Sequence, residues 1–156
     1  MKVKTTRFGE LELDESSIVT FTEGILGFPK YKKYVLLDQD KSSLFIWLQS
    51  MENEGLAFVL TDPLYIMPEY RIEVGKEEIA DIDLSTFDKA VVLCIINISE
   101  GCKSVTANLL GPIILNHEKK LAKQIILFDS PYSIKHNLMT SLQNKNKDSE
   151  KRSAQK

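Results

Sequence analysis

Short runs of alternating apolar and polar residues, separated by turn-forming residues, fill the first part of this chain. Residues 3–7 and 10–13 flank Gly9, a pattern that predicts an opening β-hairpin. Residues 18–21 and 34–37 predict the next two strands. Strands this short and this frequent are typical of an antiparallel sheet.

In the centre of the chain, turn-forming residues again separate short strands, but the strands are more apolar. Residues 44–48 are all apolar, which predicts a strand buried on both faces with Trp47 in the core. Residues 56–60 predict a partner strand across a short loop. The Asp62-Pro63 pair ends that partner, because proline cannot donate to a β-ladder.

An alternating segment at residues 70–74 predicts the next strand, and Glu69 directly precedes it. Glu69, Arg71 and Glu73 fall on one face of a predicted strand by the two-residue period. This face is typical of a solvated surface, and it also suits a basic partner protein. Residues 76–81 then predict a short helix.

The last third of the chain contains the most apolar strand, at residues 90–98, followed by strands at 105–110, 113–115 and 124–128. From Ser133 onward the period changes. Ile134, Leu138 and Leu142 are spaced four residues apart and predict a C-terminal helix that Ser133 caps.

Together these elements predict an all-β, mainly antiparallel fold: a small barrel-like domain with a few short helices and a C-terminal helix. We expect the domain to span residues 1–142. Residues 143–156 contain Ala154 as their one apolar residue, so we expect a disordered basic tail.

Charge is unevenly distributed along the chain. The formal net charge is -2, whereas the tail carries five cations and two anions. The body therefore carries -5, which argues against general nucleic-acid binding and is compatible with docking onto a basic protein. The longest apolar run is far too short to span a bilayer, so we expect a soluble cytoplasmic protein that does not bind membranes.

The residues that most often carry chemistry form no recognisable site. Cys94 and Cys102 do not have zinc-ligand spacing and are interpreted as free thiols, Cys94 in the core. His117 and His136 lie in polar stretches and are interpreted as solvated. Without a phosphate loop, metal motif or catalytic triad, we expect no enzyme activity, no cofactor and no metal.

Residues 21–31 are the most informative part of the chain. Gly24 and Gly27 stand three residues apart, which predicts a shaped turn around the apolar side chains between and beside them. Such a turn either covers the core or offers its side chains to a partner. On the second interpretation, the candidate contacts are Glu23, Ile25, Leu26 and Phe28, with Glu69 and Glu73 as a second contact region.

The ordered set of these segments resembles the flagellar assembly factor FliW family. The resemblance rests on residues 21–28, 34–37, 45–50, 56–63 and 105–113, and it covers residues 1–142. It implies a β-barrel-like, non-catalytic protein. The sequence itself contains no amphipathic zipper or large apolar stripe, so we expect a monomer when the protein is free. The resemblance also implies two protein partners: flagellin and the translational regulator CsrA, a small RNA-binding dimer. Exchange between these partners would couple flagellin translation to secretion.

Two other function classes stay open at this point. A small barrel can hold one ligand such as a flavin, although the sequence shows no cluster of phosphate-binding residues. A barrel that binds single-stranded nucleic acid needs aromatic residues on a basic face, whereas the aromatic residues here lie in acidic or apolar surroundings.

Overall fold

The computed structural model describes residues 1–38, 44–99, 101 and 103–138. Within these residues β-strands dominate, and helix is confined to short pieces. The strands are β1 (Lys2–Thr5), β2 (Gly9–Glu12), β3 (Ile18–Phe21), β4 (Lys33–Leu37), β5 (Phe45–Ser50), β6 (Ala57–Thr61), β7 (Val91–Ile98), β8 (Val105–Ala107), β9 (Ile113–Asn116), β10 (Leu121–Gln124) and β11 (His136–Asn137). The helices are α1 (Lys76–Ala80) and single 3-10 turns at Glu15–Ser17, Pro63–Tyr65 and Phe87–Lys89.

Seven strands close into a barrel in the order β7-β6-β5-β4-β3-β10-β9, and β9 returns to pair with β7. Six of these pairings are antiparallel, and β10 with β3 is the parallel one. Outside the ring, β8 and β11 extend the sheet from one half of β7, and β1 pairs with β2 as a separate hairpin. The prediction of an all-β, mainly antiparallel barrel is therefore confirmed.

The apolar residues of β7 serve two cores. Leu93 and Ile95 point into the barrel, whereas Cys94 and Ile96 point outward to a second cluster beneath α1 and the segments around it. Successive strand residues face opposite sides, so a strand covered on both sides has to be apolar throughout. The structure confirms Cys94 as a fully buried core residue.

The outer face of β5 differs from the sequence prediction. Leu44 and Phe45 are 53% and 39% exposed, so the predicted burial on both faces is wrong for the start of this strand. Trp47 is only half-buried. Its ring lies 5.5 Å from that of Phe8, and the Arg7 guanidinium lies 4.4 Å from its centroid. The opening hairpin, and not the core, provides these contacts.

The predicted C-terminal helix is wrong at residues 133–137, which form a turn and then β11. The pairing of His136 with Ala107 and of Asn137 with Thr106 explains the difference, because an open edge of β8 accepts this segment as a strand. Leu138 is buried, as a helix stripe residue would be. Leu142 and the predicted tail, residues 143–156, lie outside the described residues.

Two further strand predictions need correction. The strand predicted at residues 124–128 lies earlier, at β10, and Phe128 is 83% exposed in a turn. The segment predicted as a strand at residues 70–74 pairs with no strand of the described residues. The short helix predicted at residues 76–81 is confirmed as α1.

Candidate partner-binding surface

The turn after β3 has the shape that its two glycines predict. Gly24 and Gly27 have φ angles of +73° and +90°, which favour glycine. Phe28 N, directly after Gly27, donates to Ile25 O at 2.7 Å and closes a tight turn. We call residues 23–28 the glycine turn.

The glycine turn separates its apolar side chains into one buried and two accessible groups. Ile25 is 2% exposed and packs inside the barrel. Leu26 is 67% exposed and Phe28 is 38% exposed, and Glu23 also faces solvent. The expectation that Ile25 contacts a partner is therefore corrected, because its side chain belongs to the core and holds the turn in place.

Two residues distant in sequence fix the accessible part of this turn. Leu26 N donates to Oε1 of Gln124 at 2.8 Å, and Nε2 of Gln124 donates to Gly111 O at 3.0 Å. The Phe28 ring meets that of Phe58 edge-on, with centroids 5.6 Å apart. Sequence reasoning missed Gln124 and Phe58, since neither residue stands in a motif that marks such a support.

A buried lysine, Lys123, lies near the glycine turn and interacts with several acidic side chains. Nζ of Lys123 donates to Asp81 Oδ2 at 2.8 Å, and the Lys123 side chain is only 9% exposed. Burial alone would lower the Lys123 pKa, but the Asp81 hydrogen bond and the charges of Asp81, Glu23 and Glu78 raise it overall. Glu23 is thus part of an acidic group that one buried cation stabilises.

Glu69 and Glu73 lie elsewhere, on the outer segment that precedes α1. Both are exposed, as is Arg71 between them, so the predicted polar face is present although the strand is not. The Tyr132 hydroxyl replaces ladder bonds there, because it accepts from Arg71 N and donates to Arg71 O, each at 2.9 Å. The hydroxyl of Tyr70 donates to Leu109 O and fastens the segment to the core.

The structure therefore forms two candidate surfaces instead of one. Glu23, Leu26 and Phe28 share the glycine turn, whereas Glu69 and Glu73 share the outer segment. Among the described residues, no ion pair or hydrogen bond joins the two surfaces directly. Their connection is electrostatic, because α1 directly follows the outer segment and its Glu78 acts on the same Lys123 as Glu23.

A groove of about 420 Å³ lies beside the outer segment. It is lined by Asp62, Pro63, Leu64, Tyr70, Arg71, Ile72, Phe87, Ala90, Val91, Val92 and Leu93. Among these lining residues Arg71 is the single cation, so the groove offers no cluster of charges for the phosphate of a flavin. In the described part of the chain, no group of three or more His, Cys, Asp or Glu residues is arranged to hold a metal ion.

The helices of the described residues include none that is long and apolar enough to cross a membrane. His117 is exposed in the turn after β9, within 3.4 Å of Lys120 Nζ, and His136 lies half-buried in β11.

Comparisons with known proteins agree on one family. The family model described as "FliW protein" matches residues 2–138. The "Flagellar assembly factor FliW" of Natranaerobius thermophilus is 42% identical over 139 residues, which cover 88% of this chain and 92% of that protein. Its counterpart in Geobacter sulfurreducens is 40% identical over 136 residues, covering 87% of this chain and 85% of that protein.

A solved structure gives the same result. A crystal structure described as that of the flagellar assembly factor FliW superposes with a TM-score of 0.81 at 34% identity, covering 88% of this chain and 96% of that one.

Proposed function

Because this chain belongs to the FliW family of flagellar assembly factors, we propose that it is a non-enzymatic cytoplasmic protein that binds flagellin and antagonises the regulator CsrA. The two complexes exclude one another. When flagellin is secreted, the freed protein captures CsrA and the flagellin message is translated. When flagellin accumulates, it occupies the protein and CsrA represses translation again. Such a switch requires a coupling free energy between the two binding events.

The observation that carries this proposal is the glycine turn. Leu26 and Phe28 expose apolar surface on a turn that Ile25 and Gln124 hold in one conformation. Apolar side chains on a preorganised loop favour protein binding, because little conformational entropy is lost when the complex forms. We assign the glycine turn to flagellin.

The acidic side of the molecule supports the second partner. An RNA-binding regulator needs a basic surface for phosphate contacts. Glu69 and Glu73 present exposed carboxylates on a segment that is fixed by Tyr70 and Tyr132. We assign these carboxylates to CsrA, where complementary charge favours association.

The first experiment is calorimetric titration of the full-length protein with purified flagellin, with purified CsrA, and with each partner in the presence of the other. We expect binding to both, with one displacing the other. Failure of the folded protein to bind either partner would contradict the proposed function. Binding of both partners at once, without any change in affinity, would contradict the exchange.

Matched variants locate the flagellin surface. We expect Phe28→Ala to weaken flagellin binding by about tenfold, the effect of losing about 1.4 kcal/mol. Phe128→Ala removes an even more exposed ring from a different turn and should leave binding unchanged. Thermal unfolding of both variants separates loss of contact from loss of fold. Equal binding by the two folded variants would remove the glycine turn from the interface.

A charge exchange locates the CsrA surface. The double variant Glu69→Lys with Glu73→Lys should weaken CsrA binding and reduce its salt dependence. Glu10→Lys with Glu12→Lys changes the net charge equally on the opening hairpin and should have a much smaller effect. Unchanged CsrA affinity in the first double variant would contradict the assignment of Glu69 and Glu73.

A further inference from the structure

The barrel is closed by β7, but one edge of β7 is only partly covered. On one side, Val91–Leu93 pair with β9 and Ile96–Ile98 pair with β8. On the other side, β6 pairs with Cys94, Ile95 and Ile96 and then ends at Thr61. In the described part of the chain, no strand therefore pairs with the β6 side of residues 91–93.

Hydrogen-bond alternation shows which main-chain groups face this gap. Ile95 O accepts from Asn108 N, so Ile95 directs its main-chain groups toward the β8 side. Main-chain groups of successive residues alternate between the two edges of a strand. Cys94 and Val92 therefore direct theirs toward the β6 side.

The neighbouring strands give the same alternation independently. Leu56 O, just before β6, accepts from Ser50 N of β5. The main-chain groups of even-numbered residues in β6 therefore point toward β5, and those of odd-numbered residues such as Thr61 point toward Cys94 in β7. On the β9 side of β7, Pro112 O accepts from Ile125 N. The main-chain groups of Ile114, two residues later, therefore point toward β10 and do not bond Val92, which lies opposite Ile114. Both results leave N–H and C=O of Val92 directed into the gap.

Proline explains why β6 does not continue along this edge. Since Thr61 lies opposite Cys94, the residue in register with Val92 would be Pro63. Pro63 has no N–H to donate, and the chain turns away there into a 3-10 helix. Among the described residues, no main-chain hydrogen bond outside the strand ladders takes the N–H or C=O of Val92 on this side.

The groove of about 420 Å³ lies along this same edge, and Val91, Val92 and Leu93 form part of its lining. Its apolar walls include Leu64, which is 51% exposed, and Ile72. An unpaired strand edge beside an apolar groove is the arrangement used for β-strand addition, in which main-chain bonds provide affinity and side-chain pockets provide specificity.

The charges around the groove define the kind of segment that fits. Asp62 lies in the lining, and Glu69 and Glu73 flank it on the outer segment, with Arg71 between them. Three carboxylates against one guanidinium give a net charge of -2 for these four residues. An extended segment with an apolar residue opposite Val92 and basic residues on either side would complement both the groove and its rim.

We propose that the open edge of β7 at Val92 binds an extended, basic and apolar segment of the partner protein as an added antiparallel strand. The inference rests on the proposed function in naming CsrA as the source, because an RNA-binding protein must carry the required basic surface. The added strand takes the place that β6 vacates at Pro63. Its main chain bonds the N–H and C=O of Val92.

Amide hydrogen exchange of the wild-type protein, followed residue by residue by NMR, tests the geometry directly. In the free protein, the Val92 amide should exchange faster than those of Val91 and Leu93, which bond β9. Saturation with CsrA should protect Val92. A slow Val92 amide in the free protein, or an unprotected one in the saturated complex, would overturn the proposal.

A variant pair tests the same edge by affinity. Val91 and Ile98 are exposed residues at opposite ends of β7, 39% and 54% accessible. Val91→Lys places a cation beside the groove and should weaken CsrA binding by about tenfold. Ile98→Lys makes the same change at the far end and should leave the affinity within about twofold. Equal affinities of the two folded variants would overturn the proposal.

The results of these experiments distinguish failure of the added strand from failure of the proposed function. Wild-type binding to CsrA with no protection at Val92 would overturn the added strand and leave the proposed function standing. Protection of Val92 by flagellin, and not by CsrA, would overturn the assigned source. Absence of binding to both partners would overturn the proposed function and the added strand together.

Discussion

Gly24 and Gly27 share the left-handed backbone region, but only Gly24 lacks room for a side chain. A Cβ at Gly24 would meet the Cα and O of Pro29 at 2.8 Å, whereas one at Gly27 would meet nothing within 4 Å. The sequence predicts both glycines to be turn residues, and the tertiary structure distinguishes them.

This contrast gives a prediction for a pair of alanine variants. Gly27→Ala should destabilise the protein by about 1–2 kcal/mol, the energy of an alanine at positive φ. Gly24→Ala should lose a further 1–3 kcal/mol or so, because the clash with main-chain atoms of Pro29 forces the turn to move. Urea denaturation measures both values, and equal losses would contradict the close contact.

Lys123 provides a second prediction at the level of single residues. Asp81→Asn removes the charge that meets the buried ammonium and should destabilise the protein by about 1 kcal/mol, since Asp81 itself is half-exposed. Asp83→Asn removes the carboxylate of an exposed pair with Lys119, at 3.9 Å, and should change stability by less than about 0.5 kcal/mol.

The pH dependence of this difference has a definite sign. The folded-state pKa of Lys123 is raised, so its stabilising contribution is complete below the unfolded pKa and is lost as pH rises through the folded value. The gap in unfolding free energy between the wild type and Asp81→Asn should therefore persist from neutral pH to about 10 and shrink above it. A gap that grows in alkali would contradict the role of the charged lysine.

At the scale of the elements, two buried tyrosine hydroxyls differ in their hydrogen bonding: that of Tyr70 has a partner, and that of Tyr34 has none among the described residues. The Tyr70 hydroxyl ties the outer segment to Leu109 in the loop after β8. The hydroxyl of Tyr34, in β4, has no hydrogen-bond partner among the described residues. Burial, with the charge of Glu52, raises the pKa of Tyr34 to about 12, so at neutral pH its hydroxyl is protonated.

Phenylalanine variants test this difference. Tyr70→Phe should lose about 1–2 kcal/mol, because Leu109 O is left without its donor in the core. Tyr34→Phe should be neutral or slightly stabilising, because it removes a buried polar group that is already unpaired. Thermal unfolding and urea denaturation give both values, and a larger loss for Tyr34→Phe would contradict the hydrogen-bond assignment.

At the scale of the whole molecule, the described part of the C-terminal segment ends with β11, which extends the sheet beside β8, and with the buried Leu138. Residues 143–156 carry a net charge of +3 and contain one apolar residue, Ala154. Deleting them should leave the melting temperature unchanged. Deleting residues 136–156 should lower it, because β11 leaves the β8 edge and Leu138, 6% exposed, leaves the outer core. Equal melting temperatures would show that β11 adds no stability.

Local patterns predicted most strands of this barrel because the two-residue period and the turn residues act over a few positions. β3 lies where Ile18–Phe21 alternate, and Asp62-Pro63 ends β6 as proline chemistry requires. The exposed face of Glu69, Arg71 and Glu73 also followed from alternation, although the segment belongs to no ladder. Alternation thus reports side-chain direction even where hydrogen bonding differs.

The sequence by itself determined the barrel class, the glycine turn, the acidic body and the family. Only the tertiary structure decided that Ile25 is buried while Leu26 is exposed, that residues 136–137 form a strand, and that Val92 faces an open edge. Those outcomes depend on partners distant in the chain, such as Gln124, which lies 98 residues from Leu26. A local pattern specifies which conformations a segment favours, and the packing of distant segments selects the one that it adopts.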